Sequence, residues 1–295
     1  MKNKNSIEED KNICIINFSF LRGNIFMKNF LWILFSSFVL VLFLGCMATT
    51  TSAGNVGADR NQLMIVSEEQ MEQSANESYA QVIAEAKKSG TLNVDATTVA
   101  RVRNVAKNLI AQVGAFREDA LSWNWQVNVI SDNTVNAWCM PGGKIVVYTG
   151  IIQSLNLTDS QLAAVMGHEI AHALREHSRE QASSETLKNA GIAVVSSVAG
   201  LNETGNSLLG LAAQYTLTLP FSRSHETEAD HIGTELMARA GYDPNEAVAV
   251  WEKMSALGGS QIPEIMSTHP SNTSRIKDLT EISKKVYPLY EDAKK

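Results

Sequence analysis

His168-Glu169-Ile170-Ala171-His172 is the stretch on which the reading of this chain turns. Two histidines four positions apart lie on one face of an α-helix, one turn from each other. Two imidazoles so placed can bind the same small cation, and Glu169 can reach a water on it. A histidine pair at this spacing also occurs on solvated helix faces, so the flanking residues decide. Thr158-x-x-Gln161 reads as a capping box, and Leu162, Val165, Met166, Ile170 and Leu174 recur at helical spacing. The stretch therefore sits on a helix that starts near Thr158. Two ligands and a general base on a helix are the pattern of a zinc metalloprotease, with one Zn2+ per chain.

Zinc bound for hydrolysis needs a third protein ligand and an open position. A metzincin would carry glycine at 175 and histidine at 178, but this chain has Arg175 and Ser178. His177 is nine positions from His168, which on a continuous helix turns it to the opposite side, and it reads as a surface residue. Downstream, Phe221-Ser-Arg-Ser-His-Glu-Thr-Glu-Ala-Asp-His231 carries Glu226 and Asp230 four apart. On their own they would make an acidic, exposed helix face. Beside a site that lacks a ligand, Glu226 can complete the metal shell, and Asp230 can fix the tautomer of a ligand histidine.

HEIAHALREHSRE, SRSHETEADHIG and STHPSNTSRI follow in that order, and together they resemble metallopeptidase family 48, in particular its bacterial periplasmic lipoprotein members. The resemblance covers residues 60–285. It implies an α+β, mostly helical, zincin-like domain with a small β-sheet beside the motif helix. It implies zinc held by His168, His172 and Glu226, with Glu169 as catalytic base and Asp230 behind the ligands. It also places Asn136, Ala137 and Trp138 beside the active site, where an exposed strand edge would pair with an extended substrate. An ordinary hairpin fits that segment equally well.

The remaining sequence sets the context. With 44% hydrophobic and 19% charged residues, the chain can bury an ordinary core, and its net charge of −6 argues against nucleic acid as a partner. Residues 1–26 read as an upstream extension before a second start at Met27. Lys28 and the 16-residue apolar run Phe30–Gly45 then lead into Leu-Phe-Leu-Gly-Cys46, which resembles a lipoprotein signal with Cys46 as the lipidated residue. An uncleaved membrane anchor is the competing reading. Residues 47–61 are small and polar and read as a flexible tether, the catalytic domain spans 62–288, and 289–295 is a tail. Met47, rather than aspartate, after the cysteine points by resemblance to an outer membrane. The expectation is a lipid-anchored, periplasm-facing protein of a bacterial cell envelope, acting on polypeptides alongside envelope assembly machinery. With Cys46 lipidated, Cys139 would be the sole free thiol of the mature chain, which excludes an internal disulfide.

Helical patterns are expected over 66–89 and 97–114, and strands over Trp123–Ile130, Thr134–Cys139 and Lys144–Thr149, with Pro141-Gly-Gly as a turn. Packed helices are expected over 190–213, a helix over Phe221–Ala240, another from Asp243-Pro244 to about Leu257, and a short charged helix over 271–285. His269 stands out before Pro270. It either donates to a developing oxyanion or plugs the open metal position, and Arg275 orients its loop. Two functions compete. One is an endopeptidase for misfolded or stalled envelope proteins. The other is a lipid-anchored, chaperone-like binding factor with a latent protease site.

Overall fold

The computed structural model describes residues 46–198, 214–257, 263–269 and 273–295. The expected extension and signal segment over 1–45 lie outside these residues, as does 199–213 within the expected packed helices. Each early helix begins at the residue whose side chain can satisfy free backbone donors. Ser67 caps α1 (Glu68–Lys88), accepting from Gln70 N–H while Gln70 reaches back, and Glu68, Glu69, Lys87 and Lys88 complement the helix dipole. Asp95 caps α2 (Ala96–Ile110) by accepting from Thr97 and Thr98 N–H. The stripe Val99, Val102, Val105 and Leu109 is buried, as its spacing predicts.

Three short strands follow: β1 (Gln126–Ile130), β2 (Ala137–Met140) and β3 (Lys144–Tyr148). The turn at 141–143 works because Gly142 and Gly143 take φ of 73° and 78°, and a Cβ on Gly143 would meet the Trp125 ring at 2.6 Å. β2 and β3 pair antiparallel, Ala137 opposite Val147. β1 pairs parallel with β3, Gln126 opposite Lys144, so the last strand lies in the middle of the sheet. Then come α3 (Thr149–Ser154), the motif helix α4 (Asp159–Leu174), α5 (His177–Val198), α6 (Arg223–Arg239), α7 (Glu246–Ala256), α8 (Glu264–Thr268) and α9 (Thr273–Ala293). A π-helical turn spans Gln214–Thr218.

From Gln161 to Leu174 every residue of α4 is buried. β2, α2, α6 and α7 pack around it, so the fold encloses its central helix. Gly241, at φ 80°, ends α6 as the sequence suggests. α9 runs to Ala293 with Pro288 inside it, so the expected tail beyond 288 is largely helical.

The expected tether does not hold for residues 48–61. Thr51, Val56 and Ala58 are buried. Ser52 N–H donates to Phe116 O (2.7 Å), and Asn55 and Val56 N–H donate to Glu235 Oε2 (2.7 and 3.1 Å). Small polar residues suit a linker, but they equally suit a segment whose backbone bonds to a protein surface, and here Glu235 and Phe116 supply the partners. Among the described residues no helix is long and apolar enough to cross a membrane.

Candidate metal centre

Local sequence places the first three residues of the site. Thr158 and Gln161 form the capping box that starts α4, and the helix then sets His168, Glu169 and His172. The Nε2 atoms of His168 and His172 lie 3.1 Å apart. α6 begins at its own cap, where Ser222 Oγ accepts from His225 N–H, and this puts Glu226 in its first turn. Glu226 Oε1 lies 3.5 Å from His172 Nε2, and its Oε2 lies 3.6 Å from His168 Nε2. His269, just after α8, brings Nδ1 to 3.2 Å from His168 Nε2 and 2.9 Å from Glu226 Oε1. All four side chains are buried, and their ligand atoms lie within 4.8 Å of one another.

These residues fit a metal. Atoms bonded to a tetrahedral zinc at about 2.0–2.2 Å stand about 3.3 Å apart, and the shortest separations here run from 2.9 to 3.6 Å. Two imidazole nitrogens and a carboxylate are also a donor set that zinc accepts. Glu169 Oε1 lies 3.5 Å from His269 Nε2 and, among the described residues, is buried without a hydrogen-bond partner.

The electrostatics follow from burial and pairing. Burial pushes the Glu169 carboxyl above the ordinary carboxylate range, against the pull of His269 and His168. Burial acts the same way on Glu226, but His269, His172 and His168 outweigh it and hold that carboxyl well below its usual value. Burial depresses His172 well below the ordinary imidazole range. His269 is raised, because Glu169 and Glu226 outweigh its burial.

Asp230, one turn along α6, sets Oδ1 2.9 Å from His168 Nδ1. Its other partner is Arg275, whose Nε and Nη2 donate to the Asp230 carboxylate at 2.6 and 2.7 Å. Arg275 Nη1 lies 2.6 Å from Glu226 Oε2, and the guanidinium stacks 3.3 Å above the centre of the Trp251 ring. Arg275 therefore binds Glu226 and Asp230 of α6, a larger role than orienting the His269 loop.

Two expectations are corrected. Asn136, Ala137 and Trp138 are no more than 4% exposed, main chain included, and Ala137 N–H already donates to Asn136 Oδ1, so the expected exposed strand edge is not offered there. Asn136 Nδ2 donates to Glu264 Oε1, and Trp138 packs edge-on to Tyr79. His177 is fully buried rather than on the surface. The helix that would have turned it outward stops at Leu174, Glu176 takes a left-handed φ of 52°, and α5 starts a new direction at His177. Arg117 and Arg179 hold the Glu176 carboxylate at 2.5 and 2.6 Å and stabilise that kink. No glycine or asparagine marks it in the sequence. Trp251, under Arg275, carries no local signal in the sequence, and the position of Glu228, two residues past Glu226, is its one hint.

Residues 96–283 match the family model described as peptidase family M48. Over 209 residues, 70% of this chain and 59% of the relative, the chain is 36% identical to the mitochondrial metalloendopeptidase OMA1 of Schizosaccharomyces pombe. It is 40% identical over 158 residues, 54% of this chain and 31% of the relative, to the protein of that name in Arabidopsis thaliana. The beta-barrel assembly-enhancing protease of Escherichia coli is 30% identical over 173 residues, 55% of this chain and 35% of the relative. The chain thus spans about a third to three-fifths of the length of these relatives. Relatives at 34–40% identity are mitochondrial by name, which overturns the expectation of a periplasm-facing, outer-membrane bacterial lipoprotein. That expectation rested on a short apolar run and a five-residue match, features that leader segments of different destinations share. Three ordered motifs, a buried His-His-Glu cluster and a family match over most of the chain lead to one conclusion: this chain belongs to peptidase family M48.

Proposed function

We propose that the chain is a zinc-dependent endopeptidase that hydrolyses polypeptides. The observation that carries this reading is the meeting of His168 Nε2, His172 Nε2 and the Glu226 carboxylate within 3.1–3.6 Å of one another, inside a buried pocket that also contains Glu169. His168, His172 and Glu226 would hold the metal. Zinc bound there supplies a Lewis acid that polarises a carbonyl and acidifies a water towards a pKa of about 7. Glu169 accepts the proton of the attacking water. The water oxygen bonds to the scissile carbonyl carbon, the C–N bond breaks, and Glu169 returns the proton to the leaving amine. The unpartnered Oε1 and the raised pKa of Glu169 suit both proton transfers.

Misfolded or stalled polypeptides are the substrates we favour, with support from the E. coli relative, whose name couples proteolysis to assembly.

A latent, substrate-holding state is a second reading, and His269 favours it. Its Nδ1 sits among the ligand atoms, 3.2 Å from His168 Nε2 and 2.9 Å from Glu226 Oε1, where it would fill the open metal position. The test pairs zinc content with casein cleavage for the protein and its Glu169→Gln variant. One zinc in both, with chelator-sensitive cleavage by wild type only, supports the peptidase. One zinc in both and no cleavage by either favours the holding role, and no zinc in either sinks the metal reading.

A further inference from the structure

The two motif histidines are supported differently on the side away from the metal position. His168 meets a carboxylate directly, at Asp230. His172 meets another imidazole: its Nδ1 lies 2.9 Å from Nδ1 of His177, and His177 Nε2 lies 3.0 Å from Glu228 Oε2.

Counting protons leaves one arrangement when metal is bound. His172 needs a lone pair on Nε2, so its proton sits on Nδ1 and is donated to His177. His177 must then accept at Nδ1, carry its own proton on Nε2 and donate that to Glu228. Glu228 is suited to this end of the chain. Arg60 Nε lies 2.7 Å and Arg175 Nη2 3.2 Å from its Oε1, and Arg60 Nη2 (3.1 Å) and Arg175 Nε (3.3 Å) also donate to the Oε2 that faces His177, so two guanidinium groups hold the carboxylate in place. The His225 ring stacks on His177 with centroids 4.5 Å apart and fixes the plane of the imidazole.

We propose that His177 and Glu228 are positioning residues that hold His172 in its metal-binding orientation and tautomer. They act as a carboxylate–imidazole relay in place of the direct carboxylate that serves His168. The relay rests on the metal-site reading above. Arg60 lies outside residues 96–283 matched by the family model, so this support is anchored from the N-terminal segment that packs on the domain.

The test is zinc affinity, measured on the full chain by competition with a chromophoric chelator. Wild type, Glu228→Gln, His177→Ala and the double variant are compared, with circular dichroism confirming that each is folded. Each single variant is expected to bind zinc about 10–100-fold more weakly, the usual effect of removing a partner behind a ligand histidine. The double variant is expected to bind no more weakly than His177→Ala, because in the relay Glu228 reaches His172 only through that ring. Wild-type affinity in a folded single variant, or losses that multiply in the double, would overturn the relay. Should His177→Ala not fold, Glu228→Gln alone decides, since it keeps the size of the side chain. Absence of zinc from wild type would overturn the metal site itself, and the relay with it.

Discussion

Gly167 and Gly233 face each other where α4 crosses α6, and neither has room for a side chain. A Cβ on Gly233 would stand 2.7 Å from His168 N, and one on Gly167 would stand 2.9 Å from Gly233 O. Their absence lets the two helix backbones touch, and that contact brings Glu226 within reach of both histidines.

Gly233→Ala tests this crossing. Alanine should gain about 1 kcal/mol of helix propensity, but its methyl would meet backbone atoms that no rotamer change can move, and overpacking costs about 1–3 kcal/mol. The clash wins, so the midpoint of thermal unfolding falls and zinc binding weakens. A midpoint above wild type would mean that the helices separate freely.

Glu169→Gln removes the proton acceptor without touching a ligand. Casein cleavage is expected to fall about 10²–10⁴-fold with one zinc retained per chain. Metal analysis of the cleavage-dead variant checks both halves of the expectation, and a chelator should abolish wild-type cleavage.

His269→Ala separates the two roles open to that residue. Its placement among the ligand atoms leads us to expect a several-fold rise in basal cleavage with zinc content unchanged. A fall in kcat at constant KM would instead assign it to oxyanion stabilisation, and no change would remove it from the mechanism.

Glu180 gives a dependence on acid. Burial raises its carboxyl, but hydrogen bonds from His225, Arg60 and Gln62 outweigh that and hold it far below the ordinary value. A depressed carboxyl contributes stability above its unfolded pKa of about 4.3, and that contribution drains away as the pH falls below it. Urea unfolding of chelator-treated protein across this range should show a shallower acid loss in Glu180→Gln than in wild type. Parallel acid slopes would show that the ion pairs contribute nothing there.

Much of the centre was legible because its signals are local. Helical period and a capping box placed His168, Glu169 and His172, and two acidic residues one turn apart supplied Glu226 and Asp230. The burial of His177 has no local signal, because helical spacing holds only for an unbroken helix and the break at Glu176 is held by Arg117, 59 residues away in sequence. Residues 48–61 were misread because composition cannot report that Glu235, some 180 residues on, bonds the backbone there.

The sequence by itself determined the set of candidate ligands, the helix that carries the first of them and the family, since each rests on residue types at short spacing. Tertiary structure alone decided the strand order, the depth at which the site is buried, the grip of Arg275 on Glu226 and Asp230, and the path from Glu228 through His177 to His172. Those features depend on side chains meeting across distant segments, and no local periodicity encodes which segments meet.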